Sequence, residues 1–322
     1  MNIINNIISN GMIFALPLFI MAVGGIYSER SGVTNLALEG LQGFGAFTGS
    51  VVAVSLAGYF GADSPVPVYL AIICAMLGGM LFSLLHAVLC NYFKADMVIS
   101  GIVINILAMA LTAFFTKIIN KNVFGEASDG FTLGIMNRFS IPGLSEIPLL
   151  GAFFTNMYMF EIIIVILAVI TWYLLYKTSF GLHLRAAGDN PAAVDAAGID
   201  VIRIRYFAVM MSGALSGLAG ICFTYSITAK FSSSVYMGFG YLAIAALIFG
   251  GWKIMPTLAA CIIFGFARSA GYQIVQALGL PSAYSDLVMI LPYVLTLVLL
   301  IFLAGNSQAP RALGEAYDKS KR

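Results

Sequence analysis

What most restricts this chain is a succession of long apolar stretches, each near the length of about 20 residues that a helix needs to cross a hydrocarbon core about 30 Å thick. Nine qualify, approximately Ile7 to Tyr27, Gly32 to Ala57, Val66 to Phe93, Met97 to Lys117, Phe160 to Tyr176, Phe207 to Thr228, Phe239 to Gly251, Pro256 to Ala277 and Leu287 to Ala304. The seventh is short and rich in glycine. With 61% hydrophobic and 9% charged residues, a water-soluble globular domain is excluded. The expectation is an all-α polytopic membrane protein of about nine or ten transmembrane helices, forming one membrane domain over residues 1–322. Met1 to Ser9 carry no Lys or Arg, so the first stretch reads as a retained span and not as a cleavable signal peptide.

Orientation follows from Lys and Arg, which accumulate in cytoplasmic connections. With the Lys177 to Arg205 loop placed inside, Arg30, Lys94, Lys177, Arg185, Arg203, Arg205, Lys253, Arg311, Lys319, Lys321 and Arg322 also fall inside, eleven of the 16 basic residues. Lys117, Lys121, Arg138 and Lys230 fall outside, and Arg268 lies within a span. The N-terminus is then outside and the C-terminus inside. Residues 118–159 form an extracytoplasmic loop region, 177–206 a cytoplasmic loop and 305–322 a cytoplasmic tail. Asn120, Asn122, Asp129, Asn137, Pro142 and Pro148, with Gly125, Gly130, Gly134 and Gly143, make the outside region read as loop and turn.

The net charge of +2 is too small and dispersed for a nucleic-acid partner. Cys74, Cys90, Cys222 and Cys261 sit in apolar runs without CxxC spacing, and His86 and His183 belong to no HExxH pattern, so no metal site is expected. Small residues recur four apart at Gly45 and Gly49, Gly213 and Gly217, and Ser216 and Gly220, which predicts closely packed helices. Ala37 to Gly43 and Ala214 to Gly220 are similar to one another, an arrangement that either an ancestral duplication or the biased composition produces. There is no GxxxxGK[ST] phosphate cradle, no GxSxG elbow and no dinucleotide fingerprint after a strand, so no enzymatic activity is assigned. If ATP drives this protein, another chain hydrolyses it.

The loop from Lys177 to Arg205 differs in composition from its surroundings. Asp189 or Asn190 can cap a helix, Pro191 suits its first position, Ala192 to Ala197 are mostly strong helix formers, and Gly198 can take the left-handed conformation at the stop. About two turns of helix are predicted to lie at the membrane surface, flanked by Arg185, Arg203 and Arg205 near the headgroups. This loop resembles the coupling segment of ABC importer permeases, and Asp195-Ala196-Ala197-Gly198 looks like a variant of their EAA-type loop. Pro17 to Gly40 is similar to the signature of permeases for nucleosides and simple sugars, within the branched-chain amino acid and ribose permease family. Val98 to Asn105 and Leu291-Pro292-Tyr293 resemble the same family. Thr34 to Glu39 matches neither the ribose-type nor the amino-acid-type segment, which favours nucleosides over simple sugars or branched-chain amino acids as the solute.

The resemblance implies a type II-like importer bundle in the cell membrane. It implies contact with an ATPase through Gly188, Asp189, Asn190, Pro191, Asp195, Ala196, Ala197 and Gly198. Its partners would be ATPase subunits that use ATP and Mg, a second identical or related permease, an extracytoplasmic substrate-binding protein and a small polar solute in a lipid bilayer. This chain itself would carry no cofactor.

Independently of family, polar residues within spans mark the expected path: Asn35, Glu39, Gln42, Ser100, Asn105 and Thr224. Their amides and hydroxyls suit a neutral polyhydroxylated solute, and helix-to-helix hydrogen bonds are the competing role for each. Glu39 is costly in a span unless paired or hydrated, so it either faces the path or braces Arg30 or another basic residue. Arg268 either snorkels, pairs across the bundle or lines water. An ion-coupled transporter working alone would need more titratable groups near the midplane than Glu39, His86, Glu161 and Asp286 provide.

Overall fold

The computed structural model describes residues 2–61, 64–134, 136–147, 150–234, 238–279, 281, 283–303 and 309–318. Pro148, Ala304, Lys319, Lys321 and Arg322 of the expectations above lie outside the described residues, as does the side chain of Asp286. Eleven helices are described: α1 (Asn2–Arg30), α2 (Leu38–Phe60), α3 (Val66–Asn91), α4 (Met97–Ile119), α5 (Met159–Lys177), α6 (Ser179–Asp189), α7 (Pro191–Ala196), α8 (Val201–Phe223), α9 (Phe239–Phe249), α10 (Ile254–Ala277) and α11 (Ala283–Leu303).

Each of the nine apolar stretches contains one of α1–α5 and α8–α11. Seven helices among the described residues, α1 to α5, α8 and α10, are long and apolar enough to cross a membrane. The 21 residues of α11 span about 31 Å. The 11 residues of α9 reach only about 16 Å, half of a hydrocarbon core.

The bundle is organised around α8 and α1, whose most apolar windows are 83% and 72% buried, whereas α4 and α5 at 28% face outward to lipid. Small residues explain how α8 gains that position. A Cβ on Gly217 would strike the Ala75 carbonyl of α3, one on Gly213 would strike the Gly79 carbonyl, and one on Gly45 of α2 would meet Gly217 itself. Backbones touch where hydrocarbon supplies no hydrophobic drive, and the small-residue pairs seen in the sequence are these contacts.

Three expectations change. The second span does not begin at Gly32: residues 31–37 are non-helical, and α2 starts at Leu38. Gly32 adopts φ +95°, Ser28 and Ser31 bond local carbonyls, and Asn35 accepts from the Ala37 N–H at 3.1 Å, so side chains satisfy this backbone in place of a helix. The Lys177 to Arg205 loop holds two helices, not one. Asn190, not Asp189, caps α7 by accepting from Ala193 N–H, while Asp189 ends α6. Gly198 takes φ +82° at the stop, as the sequence predicts.

Region 118–159 is also more ordered than loop and turn. A π-helical turn (Asn120–Phe124) and a 3₁₀ turn (Leu150–Phe154) accompany two small antiparallel ribbons. In one, β1 (Gly130–Thr132) pairs with β4 (Lys230–Ser232), with Phe131 opposite Phe231. In the other, β2 (Arg138–Phe139) pairs with β3 (Met157–Tyr158). Phe47 packs against Phe131 and Phe231 with centroids 6.3 and 5.8 Å away, which fixes this cover to α2.

Candidate functional site

Two chain segments enter the bundle without helix and begin helices inside it. The first is 31–37. Asn105 Nδ2 donates to the Leu36 carbonyl at 2.8 Å, and Asn105 lies eight residues past the start of α4, about 12 Å along its axis. The second leads from β4 to Gly238, where α9 begins. That helix ends against Trp252, whose indole donates to Glu29 at 2.5 Å and whose carbonyl accepts from Arg30 at 3.0 Å, so its start lies about 16 Å inward from the same end of the bundle. The starts of α2 and α9 therefore meet near mid-bundle.

Glu39 joins them. Its carboxylate accepts from the backbone N–H of Gly238 and, at 2.8 Å, from that of Gly240. Helix starts expose unpaired N–H groups and the positive end of the dipole, and a carboxylate answers both. Bracing of a basic residue is thereby replaced: among the described residues no Lys or Arg lies within ion-pair distance of Glu39. Gly240 is required for the approach, since a Cβ there would strike the Glu39 backbone, and Gly238 holds φ +97°. On the other start, Asn105 Oδ1 accepts from Gly40 N–H at 2.7 Å. Asn105 Nδ2 also donates to the Tyr241 hydroxyl at 3.2 Å.

These groups line a cavity of about 180 Å³ with Glu39, Gly40, Asn105, Thr112, Ser233 and Tyr241 on its walls. It offers a carboxylate, an amide and three hydroxyls, a set suited to hydroxyl and ring-nitrogen donors. Of the six residues expected on the path, Glu39 and Asn105 are brought together here.

The other four lie in packed interior. Asn35 donates to Ser212 of α8 at 2.8 Å. Ser100 pairs with His86 Nδ1 at 2.8 Å while the other ring nitrogen meets the Thr34 carbonyl at 3.1 Å, so both steady segment 31–37. Thr224 donates back to Gly220 at 2.9 Å within its own helix. Gln42 is fully buried, and neither side-chain atom finds a hydrogen-bond partner among the described residues. Sequence reasoning missed Tyr241, Thr112 and Ser233. The hint for Tyr241 was a hydroxyl two residues past Phe239, where the short seventh stretch begins.

Buried carboxylates elsewhere are also committed to N–H donors: Glu29 to the Trp252 indole, and Glu161 to the Tyr158 backbone at 2.7 Å at the start of α5.

A second candidate locus is the end of the bundle that carries α6 and α7. Val194 is buried and anchors α7, while Asp189, Asn190, Ala196, Ala197 and Gly198 are exposed and Pro191 and Asp195 half-buried, leaving a knob of small side chains. Gly188 is buried: a Cβ there would strike the Arg30 carbonyl, and its own carbonyl accepts from Ala312 N–H at 2.8 Å. Arg205 overturns the headgroup expectation. It is 1% exposed, inside α8, and donates to the carbonyls of Ser31 at 3.1 Å and Glu315 at 2.9 Å. Asp200 caps α8 early enough to carry Arg205 into the bundle.

A family described as "Branched-chain amino acid transport system / permease component" matches residues 7–300. The chain belongs to this family. As a member it is a multi-pass cell-membrane permease, a transport subunit and not an enzyme. The guanosine ABC transporter permease protein NupQ of Bacillus subtilis (strain 168) is 39% identical over 99% of this chain and 98% of its own length. The nucleoside ABC transporter permease protein NupC of Lactococcus lactis subsp. cremoris (strain MG1363) is 36% identical over 100% of both. The guanosine ABC transporter permease protein NupP of the same Bacillus is 27% identical over 85% of this chain and 76% of its own.

Proposed function

We propose that this chain is a permease subunit of an ATP-binding cassette importer for nucleosides, with the Glu39, Asn105 and Tyr241 cavity on the translocation path. The observation that carries the reading is full-length similarity, at 39% and 36% identity, to permeases named for guanosine and nucleoside transport. The cavity's polar set agrees with it: hydroxyls and an amide hold a nucleoside by hydrogen bonds, without the strong trapping that an ionic solute would meet. At about 180 Å³ the cavity is below the range of about 300–1,000 Å³ typical of small-ligand sites, and Tyr241 is 46% exposed on its rim. A second permease chain completing the wall accounts for both. Two guanosine permeases of unequal similarity in one Bacillus favour a related chain over an identical one.

Residues 118–159 face outward in this reading and receive solute from a substrate-binding protein. The α6–α7 end faces the cytoplasm and docks its small-residue knob in a partner ATPase that binds ATP and Mg. The knob extends through Asn190, Pro191, Ala196, Ala197 and Gly198, with Val194 as its anchor. ATP binding shifts the transporter between its states only if that knob meets the ATPase differently in each.

The test is uptake of labelled guanosine by cells expressing the chain with its companion subunits. Competition by unlabelled purine nucleosides is expected, and competition by ribose or leucine alone would overturn the nucleoside assignment. Replacing residues 189–198 with a Gly/Ser segment is expected to abolish uptake and transport-stimulated ATP hydrolysis. Their persistence in the assembled complex would remove the coupling role.

A further inference from the structure

A separate cavity of about 360 Å³ lies between α1 and α10, lined by Asn10, Phe14, Arg268, Ser269, Tyr272 and Gln273 among others. Arg138 of β2 and Gln276 place it toward the end of the bundle that carries β1 to β4. α1 and α10 cross closely beside it, since a Cβ on Gly265 would strike the Gly11 carbonyl.

Arg268 is the unusual member. It is 8% exposed, nine residues from the end of α10, and among the described residues no carboxylate lies within ion-pair distance. No Asp or Glu lines the cavity. Its guanidinium carbon stands 4.2 Å from the Phe14 ring centre, 5.2 Å from that of Phe239 and 5.7 Å from that of Tyr272. Rings stabilise a guanidinium through its face, whereas its N–H donors point outward in the plane and stay available. A buried cation without a counter-charge is costly in a membrane span, so an anion delivered to those donors would be strongly favoured.

A second observation points to the same occupant. Ser269 Oγ lines the cavity, is buried, and has no hydrogen-bond partner among the described residues. Arg138 adds a second cation to the rim, and Asn10, Gln273 and Gln276 add neutral amides.

We propose that this cavity binds a phosphate-class oxyanion, with the edge of Arg268 and the hydroxyl of Ser269 as its principal donors. The oxyanion comes either from an anionic lipid headgroup at that end of the bundle or from free phosphate. The site is independent of the solute carried through the Glu39 cavity.

The experiment is equilibrium binding to the purified intact transporter with two probes, inorganic phosphate and dioctanoyl phosphatidylglycerol, and dioctanoyl phosphatidylcholine as the zwitterionic comparison. Saturable binding of phosphatidylglycerol alone supports the site with lipid as the source; binding of inorganic phosphate, with or without the lipid, supports it with free phosphate as a ligand. Arg268→Gln is expected to weaken the bound probe by about 10- to 100-fold, as for loss of a charge-assisted donor. Ser269→Ala is expected to weaken it by about 2- to 10-fold. Because Ser269 has no partner to lose, that variant keeps the test decisive if Arg268→Gln fails to fold. Absence of saturable binding by either probe, equal binding of phosphatidylcholine, or unchanged binding by Ser269→Ala would overturn the proposal. Labelled guanosine binding that Ser269→Ala weakens, with neither anion bound, would also overturn it and move this cavity onto the solute path.

Discussion

Glu39→Gln isolates what joins the two helix starts. In the native chain one carboxylate oxygen takes the Gly238 N–H and the other the Gly240 N–H. Glutamine retains one acceptor oxygen and sets an NH₂ against the second N–H, leaving that donor orphaned. Loss of a hydrogen bond to a charged group costs about 1.5–3 kcal/mol, and loss of the charge at a helix start about 0.3–1 kcal/mol more. The neutral amide is easier to bury, which offsets part of this. The net is about 1–3 kcal/mol, a 5- to 150-fold increase in the population with the α9 start detached. Hydrogen exchange measured by mass spectrometry on peptides covering α9 reads this opening directly. Exchange in α9 is expected to accelerate by that factor, with α10 unchanged, and Glu39→Ala is expected to exceed it because both acceptors go. If Glu39→Gln leaves exchange in α9 at the native rate, the carboxylate is not what holds the two starts together.

Gly188→Val forces a side chain against the Arg30 carbonyl, and substrate-stimulated ATP hydrolysis in the assembled transporter is expected to fall about tenfold or more, with native hydrolysis refuting the close-contact role. Arg205→Met orphans the Ser31 and Glu315 carbonyls at a cost of about 1–3 kcal/mol each. Limited proteolysis is expected to cut within 309–318 several-fold faster, and an unchanged rate would show that Arg205 does not retain the tail. Gly217→Leu places a branched side chain on the Ala75 carbonyl and Gly45, costing about 3 kcal/mol or more, and is expected to lower the monodisperse yield in detergent. Wild-type yield would mean that α2, α3 and α8 are not in backbone contact.

Hydrophobic length was enough to find the nine long apolar helices, because a span must be about 20 residues of apolar chain whatever it packs against. The same signal misplaced the start of α2. Val33, Leu36 and Ala37 are as apolar as the helix that follows, and hydropathy does not register that Asn35, His86 and Asn105 satisfy the backbone there. The cap at Asn190, the first-turn Pro191 and the stop at Gly198 were legible because each is a local chemical event. α6 was not, since SFGLHLRAAGD is short and lacks a strong cap signal beyond Thr178. Glu39 was recognisable as a costly carboxylate, but its partners are backbone N–H groups about 200 residues away with no side-chain identity to read. Glycines on both sides of Phe239, ahead of a span too short to cross, were the trace they left.

The two candidate loci are connected by unusually little chain. Gly188 of α6 touches Arg30 and Gly32, and Gly314 N–H reaches the Gly32 carbonyl at 3.0 Å, so the α6–α7 end grips the beginning of segment 31–37. Seven residues later that segment delivers Glu39 to α9. Continuity alone does not make a lever; a lever needs an element with two arrangements that both ends can bias. The start of α9 has that character. It is half a span long, it begins at a glycine in the left-handed region, and its first turn is held to α2 by hydrogen bonds to a single side chain. A displacement of α7 that pulls 31–37 by one or two ångströms would break those bonds outright, since a hydrogen bond tolerates no such stretch. The N–H groups so released would then face the same cavity that Asn105 and Tyr241 line, presenting donors to the solute in one state and to Glu39 in the other.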